Sequence, residues 1–445
     1  MPPGSSVRSA SWDARSSRRF EAPPLPRASP PARSPRAGSG VGIVERARYW
    51  RDAVLLGVAT IGAYGVVYYA FGVFIEPLHD DTGWSTGTLS LAYSAGVLLS
   101  GIGAVVGGRA LDRRGPRPVM VTAVVVGALG LLAASEARQV AWFVACWAVA
   151  GGAVAGGLYY NVTMSTTSRL YADRRAAAIS VLTLLGALAS PIFNPLVAWM
   201  VEAWGWREAL RALAVLLVLL AGPAALVVRS ETVPVPSRTP GDRGAWREPT
   251  VWRLILAACF SAGATSALLL HQVSAIRALG LSLAAAAALS GARGLMQIPG
   301  RLVLTPLTNW LGVHTTQVVC YGMVAAGASA LVFADGLVAA WFFVIAAGLA
   351  IGLSSPLNGL LSAEAYGARL GTFSGMQAAA TSIASAGGAW LAGIAVDRTG
   401  DYGLTLAGIA TLECAAAAAL LWQRHAVRTA QRANAVAVSA GGDRA

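Results

Sequence analysis

The sequence predicts an all-α integral membrane protein with twelve transmembrane helices in two pseudo-symmetric six-helix halves. Three observations carry this. The chain of 445 residues is 56% hydrophobic and only 12% charged, whereas a soluble globular domain is about 25% charged. From Asp52 onward, apolar runs recur that are each about 20 residues long, enough to cross a hydrocarbon core as a helix. Short stretches of the first half return about 197 residues later.

Taken in order, residues 1–47 are rich in Pro, Ser, Arg and Ala. They have no apolar period and lack the apolar core of a signal peptide. They read as a disordered tail, or as a start codon assigned too early. The twelve runs are 52–76, 85–108, 118–134, 140–163, 176–202, 208–228, 252–274, 283–305, 315–334, 338–361, 372–396 and 403–423. The longest connection, 229–251, is proline-rich and charged, as suits a cytoplasmic linker between halves spanning 48–228 and 252–424. Residues 425–445 form a second tail. The repeat shows in "GWS" at 83–85 against "GLS" at 280–282, and in "VEAWG" at 201–205 against "VDRTG" at 396–400.

All 34 basic residues are arginine. With both termini in the cytoplasm, 27 of them fall in cytoplasmic segments and five in outer loops, a strong positive-inside bias. The net charge of +13 is then a topology signal, and no nucleic-acid partner is expected. The four cysteines sit inside apolar runs with no CxxC or metal spacing. No P-loop, HExxH, catalytic triad or paired-carboxylate pattern occurs, so neither an enzyme nor a cofactor nor a metal site is expected.

The stretch "GGRALDRRGPRP", from Gly107 to Pro118, packs four arginines and one aspartate between two apolar runs. It resembles the loop 2–3 signature of the major facilitator superfamily, with Gly108, Asp112, Arg113, Gly115 and Arg117 in its key positions. "TPLTNWLG" at 305–312 is similar to the weaker second copy, with Asn309 in place of Asp. "FGVFIEPLHDDTGWSTGTLSLAYS", "NPLVAWMVEAWGWREAL" and "IPGRLVLTPL" resemble bacterial members of the monocarboxylate-transporter-like and oxalate/formate-antiporter-like group. The resemblance covers about residues 50–425. It implies the major facilitator fold and a gating role for the loop 2–3 motif, whose Asp112 and Arg113 would lock the inner ends of the two halves together when the transporter faces outward.

An ionisable group at mid-membrane depth is costly and marks a site by default. In helix 8, Arg293, Gln297 and Arg301 follow an i, i+4, i+8 spacing and share a face if the helix is continuous. Depth favours Arg293 as the anion ligand, while spacing to the second motif favours Arg301 by the resemblance. A guanidinium suits a carboxylate because its paired N–H groups meet both oxygens. The resemblance implies a proton-coupling aspartate one turn before that arginine, where this chain has Gln297, which cannot titrate. His271 in helix 7, Glu413 in helix 12 and Glu76 at the outer end of helix 1 are the remaining coupling candidates. Tyr64 and Tyr68 in helix 1, Asn161 in helix 4, Asn358 in helix 10 and Gln377 in helix 11 are candidate cavity residues, as is Asn194 in helix 5. Membrane asparagines also bond helix to helix, and the glycines of "GGAVAGGLYYN" suit close helix packing.

The expectation is a monomeric secondary active transporter in the inner cell membrane. Its substrate would be a small organic anion of the monocarboxylate type, with protons as the candidate coupling ion. Transport would proceed by rocking the two halves about a central site. The alternatives are a proton-coupled drug or metabolite efflux antiporter and a non-transporting membrane sensor or scaffold.

Overall fold

The computed structural model describes residues 40–170, 175–228, 249–366 and 370–442. Most of the expected tail and linker, residues 1–39 and 229–248, lies outside them, as do Arg369 and 443–445. In the unit Met1–Glu45, residues from Gly40 are helical. Val, Ile, Glu, Arg and Ala follow Gly40 without a Pro, so nothing stops the helix there. The transmembrane helices belong to the unit Arg46–Ala445.

They are α1 (Trp50–Thr82), α2 (Thr86–Arg114), α3 (Pro116–Ser135) and α4 (Val140–Leu170), followed by α5 (175–204) and α6 (206–227). The second half holds α7 (Pro249–Arg277), α8 (283–311), α9 (Val313–Phe333), α10 (Gly336–Tyr366), α11 (Leu370–Thr399) and α12 (Gly403–Gly442). Ten helices among the described residues are long and apolar enough to span a bilayer. One of these, Ala177–Val227, contains two crossings, because Gly205 breaks it at φ 81°. The twelfth crossing is α8, which falls short of that criterion because it is broken into Leu283–Leu295, Gln297–Leu302 and Leu304–Leu311.

The breaks in α8, and one in α5, have one cause. A proline inside a helix has no N–H to donate and clashes with the carbonyl four residues back. Pro299 and Pro306 therefore end helical pieces at Leu295 and Leu302, and Pro191 ends one at Ala187 in α5. The i, i+4, i+8 spacing of Arg293, Gln297 and Arg301 is thus interrupted at Met296, and the three do not lie on one continuous helical face.

The internal repeat is written in the backbone. Left-handed glycines that end helices pair across the halves: Gly83 with Gly280, Gly115 with Gly312, and Gly205 with Gly400. Ser85 and Ser282 cap the next helices identically, accepting from Thr88 N and Ala285 N at 3.2 Å each. Within the first half, α2 and α4 meet through glycines. A Cβ on Gly107 would lie 1.8 Å from the Gly156 carbonyl oxygen, and one on Gly103 2.2 Å from that of Gly152. Such backbone approach needs small residues, so the glycines of α4 serve packing.

The two halves meet towards the end of the bundle opposite the start of α1. Arg277 pairs with Glu76, and Gly87 N donates to Asp397 Oδ2 at 2.8 Å. Nearer the middle, Ser94 Oγ donates to the Ala386 carbonyl at 2.7 Å. The ion pairs recorded at the other end, Asp112–Arg169 and His314–Glu364, each stay within one half.

Candidate functional site

Arg293 is fully buried in α8. Its Nε donates to Gln272 Oε1 of α7 at 2.6 Å. Gln272 is itself fixed, donating from Nε2 to the Leu269 carbonyl at 3.2 Å. The two terminal nitrogens, Nη1 and Nη2, have no hydrogen-bond partner among the described residues. Tyr69 and Tyr68 of α1 interact with the guanidinium electrostatically. An arginine at mid-membrane depth costs about 3 kcal/mol to insert even on the most lenient scale. The arrangement offers two parallel N–H donors and, among the described residues, no carboxylate to receive them.

The tyrosines around this group come from two interrupted helices. In α1, residues Tyr64–Tyr69 form a π-helical turn, which brings Tyr64, Tyr68 and Tyr69 close together. The turn is also pinned at Gly65, where a Cβ would strike the Phe193 ring at 2.1 Å. In α4, Tyr159 is extended and breaks the helix, presenting Tyr159 and Tyr160 side by side. Tyr64 stacks on Tyr159 with ring centroids 4.1 Å apart, and it lies 5.1 Å from Tyr160. Tyr160 in turn interacts electrostatically with Arg301, which is half-buried. A cavity of about 60 Å³ beside Tyr68 is bounded by Tyr93, Trp147 and Tyr159. The two arginines of α8 thus both face tyrosines of the first half, Arg293 at α1 and Arg301 at α4.

Neighbouring glycines allow α8 to sit where it does. A Cβ at Gly348 of α10 would lie 2.6 Å from the Arg293 carbonyl, and one at Gly352 2.5 Å from the Gln297 carbonyl. On the other side, Asn194 Nδ2 donates to Ser290 Oγ at 2.8 Å. Asn194, expected as a possible cavity residue, is therefore a buried tie between α5 and α8.

The other sequence candidates fall elsewhere. Asn358 and Gln377 line a cavity of about 580 Å³ bounded by α7, α9, α10 and α11. Gln377 Oε1 accepts from Ser362 Oγ at 2.9 Å on the wall of that cavity. Glu413 of α12 is buried against α7, where Ser261 and Thr265 donate to it. His271 lies in a contact between α2 and α7, with Nε2 3.3 Å from Ser90 Oγ and its ring 5.9 Å from that of Tyr402. Glu76 is occupied by Arg277. Asn161 is exposed on α4, one residue beyond Tyr160. In the loop 2–3 motif, Arg113 and Arg117 are exposed, Gly108 is half-buried and Gly115 carries φ 77°. The latch that the resemblance implied for Asp112 belongs to an outward-facing state; in this structure Asp112 pairs with Arg169 of α4 in its own half.

Sequence reasoning missed Gln272, although it stands beside His271. A second polar residue in an apolar run was the available signal. It also missed Tyr69, Tyr159 and Tyr160, which carry no charge and become legible only when the helix breaks bring them together.

The Major Facilitator Superfamily profile matches residues 56–389. Among curated proteins, the chain is 25% identical over 179 residues to Monocarboxylate transporter 13 of Rattus norvegicus, which covers 40% of each chain. It is 30% identical over 188 residues to the Fujikurins efflux protein of Gibberella fujikuroi, covering 42% of this chain and 39% of that one. The matches therefore span about two fifths of these relatives. Among solved structures, a variant of the nucleoside transporter NupG superposes with a TM-score of 0.74 at 11% identity, covering 84% of this chain and 99% of that one. A bacterial homologue of the human lysosomal transporter Spinster, inward-facing and occupied, superposes at 0.64 with 16% identity, covering 89% and 98%. Twelve helices in two repeated halves, a family match over most of the length and transporter structures of the same fold agree: the chain belongs to the Major Facilitator Superfamily of membrane transporters.

Proposed function

We propose that the chain transports a small organic anion of the monocarboxylate class, with Arg293 as the group that holds the carboxylate. The observation that carries this is the pair of unpartnered Arg293 nitrogens in a fully buried position. A carboxylate fits them bidentately, turning a costly buried charge into a neutral, hydrogen-bonded pair. Gln272 holds the guanidinium plane, and Tyr64, Tyr68 and Tyr160 shape the space on the first-half side. Arg301, half-buried near Tyr160, would draw the anion in from the end where the chain begins and ends. The similarity to Monocarboxylate transporter 13 supports the substrate class.

The arginine bias puts both termini in the cytoplasm of a cell with this protein in its inner membrane. The end sealed by Glu76–Arg277 and Gly87–Asp397 is then the outer one. The structure is accordingly the state closed to the outside. Rocking the halves about the α5–α8 and α2–α11 contacts would open the outer end and carry Arg293 with its anion from one side to the other.

Efflux of a metabolite is the second reading, favoured by the similarity to the Fujikurins efflux protein. Proteoliposomes with labelled pyruvate, lactate or a cationic dye separate the readings. The account expects uptake of the carboxylates by the wild type and its loss in both directions in Arg293→Gln. Uptake undiminished in Arg293→Gln sinks the site assignment. Dye movement alone supports efflux, and no flux of any probe supports a sensor or scaffold.

A further inference from the structure

Glu413 stands near the middle of the apolar part of α12, Gly403–Val427, completely buried, with no arginine beside it among the ion pairs of the described residues. Its Oε1 accepts hydrogen bonds from Ser261 Oγ at 3.1 Å and Thr265 Oγ1 at 3.3 Å, two hydroxyls one turn apart on α7. Its Oε2 has no partner among the described residues. The titratable groups that face it are Cys320 and Tyr321 of α9, neither of them a cation. A carboxylate in such a place would be a buried charge with no counter-charge, which a membrane interior resists.

The two hydroxyls have a second face. Ser261 and Thr265 both line the 580 Å³ cavity bounded by α7, α9, α10 and α11. The cavity wall opposite them is polar, with Ser354 and Asn358 of α10 and Gln377 and Thr381 of α11. Ser355 and Gly359 on the same wall are exposed, so the cavity opens to the surface. Glu413 is therefore separated from an open cavity with a polar wall by one layer of hydroxyls. Close packing puts it there for a plain reason: α7 and α12 are neighbours, and Ala416 and Leu420, on the same side of α12, are buried in the same half.

We infer that Glu413 is a proton-carrying site, loaded from and unloaded to this cavity through the hydroxyls of Ser261 and Thr265, and that transport is coupled to protons through it. The step balances simply. A hydronium ion in the cavity gives a proton to a hydroxyl oxygen as that hydroxyl gives its own to Glu413 Oε1, and is left as water. One proton moves inward, no electron moves, and the carboxylate becomes the neutral acid. The reverse step releases the proton to the cavity. Helix α8 has no acid for this task, since Gln297 stands where one would be expected. The inference uses the transporter fold and does not depend on the anion being a monocarboxylate.

The test is infrared difference spectroscopy on the purified full chain, comparing acid with mildly alkaline pH, first in water and then in deuterium oxide. The wild type is expected to show a protonated-carboxyl band that fades reversibly as pH rises and shifts promptly in deuterium oxide. Glu413→Gln should lack that band. The double variant Ser261→Ala with Thr265→Ala should keep it but slow its isotope shift by about tenfold or more. A band that ignores both pH and deuterium marks a merely structural acid and overturns the inference, as does its absence from the wild type. Proteoliposomes loaded with a pH-sensitive dye add a second readout. With pyruvate as probe, Glu413→Gln should stop pyruvate-driven proton movement while pyruvate exchange continues. Proton movement at the wild-type rate in that variant overturns the coupling. If the wild type ignores pyruvate, the monocarboxylate reading fails and the infrared result still decides this one.

Discussion

Arg293 and Asp112 show how differently one charge behaves in two settings. Arg293 has no anion beside it among the described residues and no water-facing surface, so in the proposed function its net worth depends on a ligand. Replacing it by Gln should weaken pyruvate by about 3 kcal/mol, or roughly 100-fold, the scale for removing one member of a buried charged pair. Arg293→Lys keeps the charge but loses the planar fork, and should fall between the two. The concentration dependence of labelled pyruvate uptake checks both. Asp112 is half exposed and pairs with Arg169, an interaction worth under about 1 kcal/mol. Asp112→Asn should therefore leave the fold and the affinity intact while slowing the maximal transport rate several-fold. A large loss of affinity at an unchanged rate would contradict a gating role. Arg293 was legible in the sequence because a charge ten residues into an apolar helix has few other uses. Gln272 was not, because depth is readable from position along a helix and azimuth is not. Glu413 has the same history: its depth was plain, but only packing shows that it faces Ser261 and Thr265.

At the scale of the element, the breaks matter more than the helices. Apolar runs were enough to locate twelve crossings, because each must satisfy its backbone internally in lipid. The same runs hid the interruptions at Leu188, Met296 and Val303, although Pro191, Pro299 and Pro306 were in view. A proline in a membrane helix can be absorbed by its neighbours, so sequence alone did not say where the axis bends. Pro299→Ala is expected to rejoin Leu283–Leu295 to Gln297–Leu302 and to turn Arg301 away from Tyr160. Pyruvate uptake should then drop with little change in thermal stability. The α2–α4 contact predicts the opposite pattern. Gly107→Val would drive side-chain atoms into the Gly156 backbone, where even a Cβ has only 1.8 Å. The cost is about 1–3 kcal/mol, the usual penalty for overpacking. A lowered thermal midpoint for Gly107→Val, and an unchanged one for Pro299→Ala, would check this pair.

For the whole molecule, the repeat is what would place the proposed site between two halves. Sequence echoes at 83–85 and 280–282 were faint, yet they mark Gly83 and Gly280, whose left-handed turns precede the matching caps at Ser85 and Ser282. The state of the gate could not be read in the same way, because it depends on which contacts between halves are made. Here they join at the end carrying Glu76, Arg277 and Asp397. Asp397→Asn should loosen that end and raise the share of molecules open there. Ser90→Cys in a background without the four native cysteines reports it. Ser90 is buried against His271 in this state, so maleimide labelling from that side should rise several-fold with Asp397→Asn. The central claim is that a carboxylate completes Arg293, and thermal unfolding of the purified protein tests it most directly. A ligand that binds the folded state raises the midpoint with its concentration. Pyruvate, lactate or another small monocarboxylate should raise it in the wild type, the matching neutral amides should not, and Arg293→Gln should respond to neither. Stabilisation of Arg293→Gln by the acids as large as that of the wild type would contradict the account.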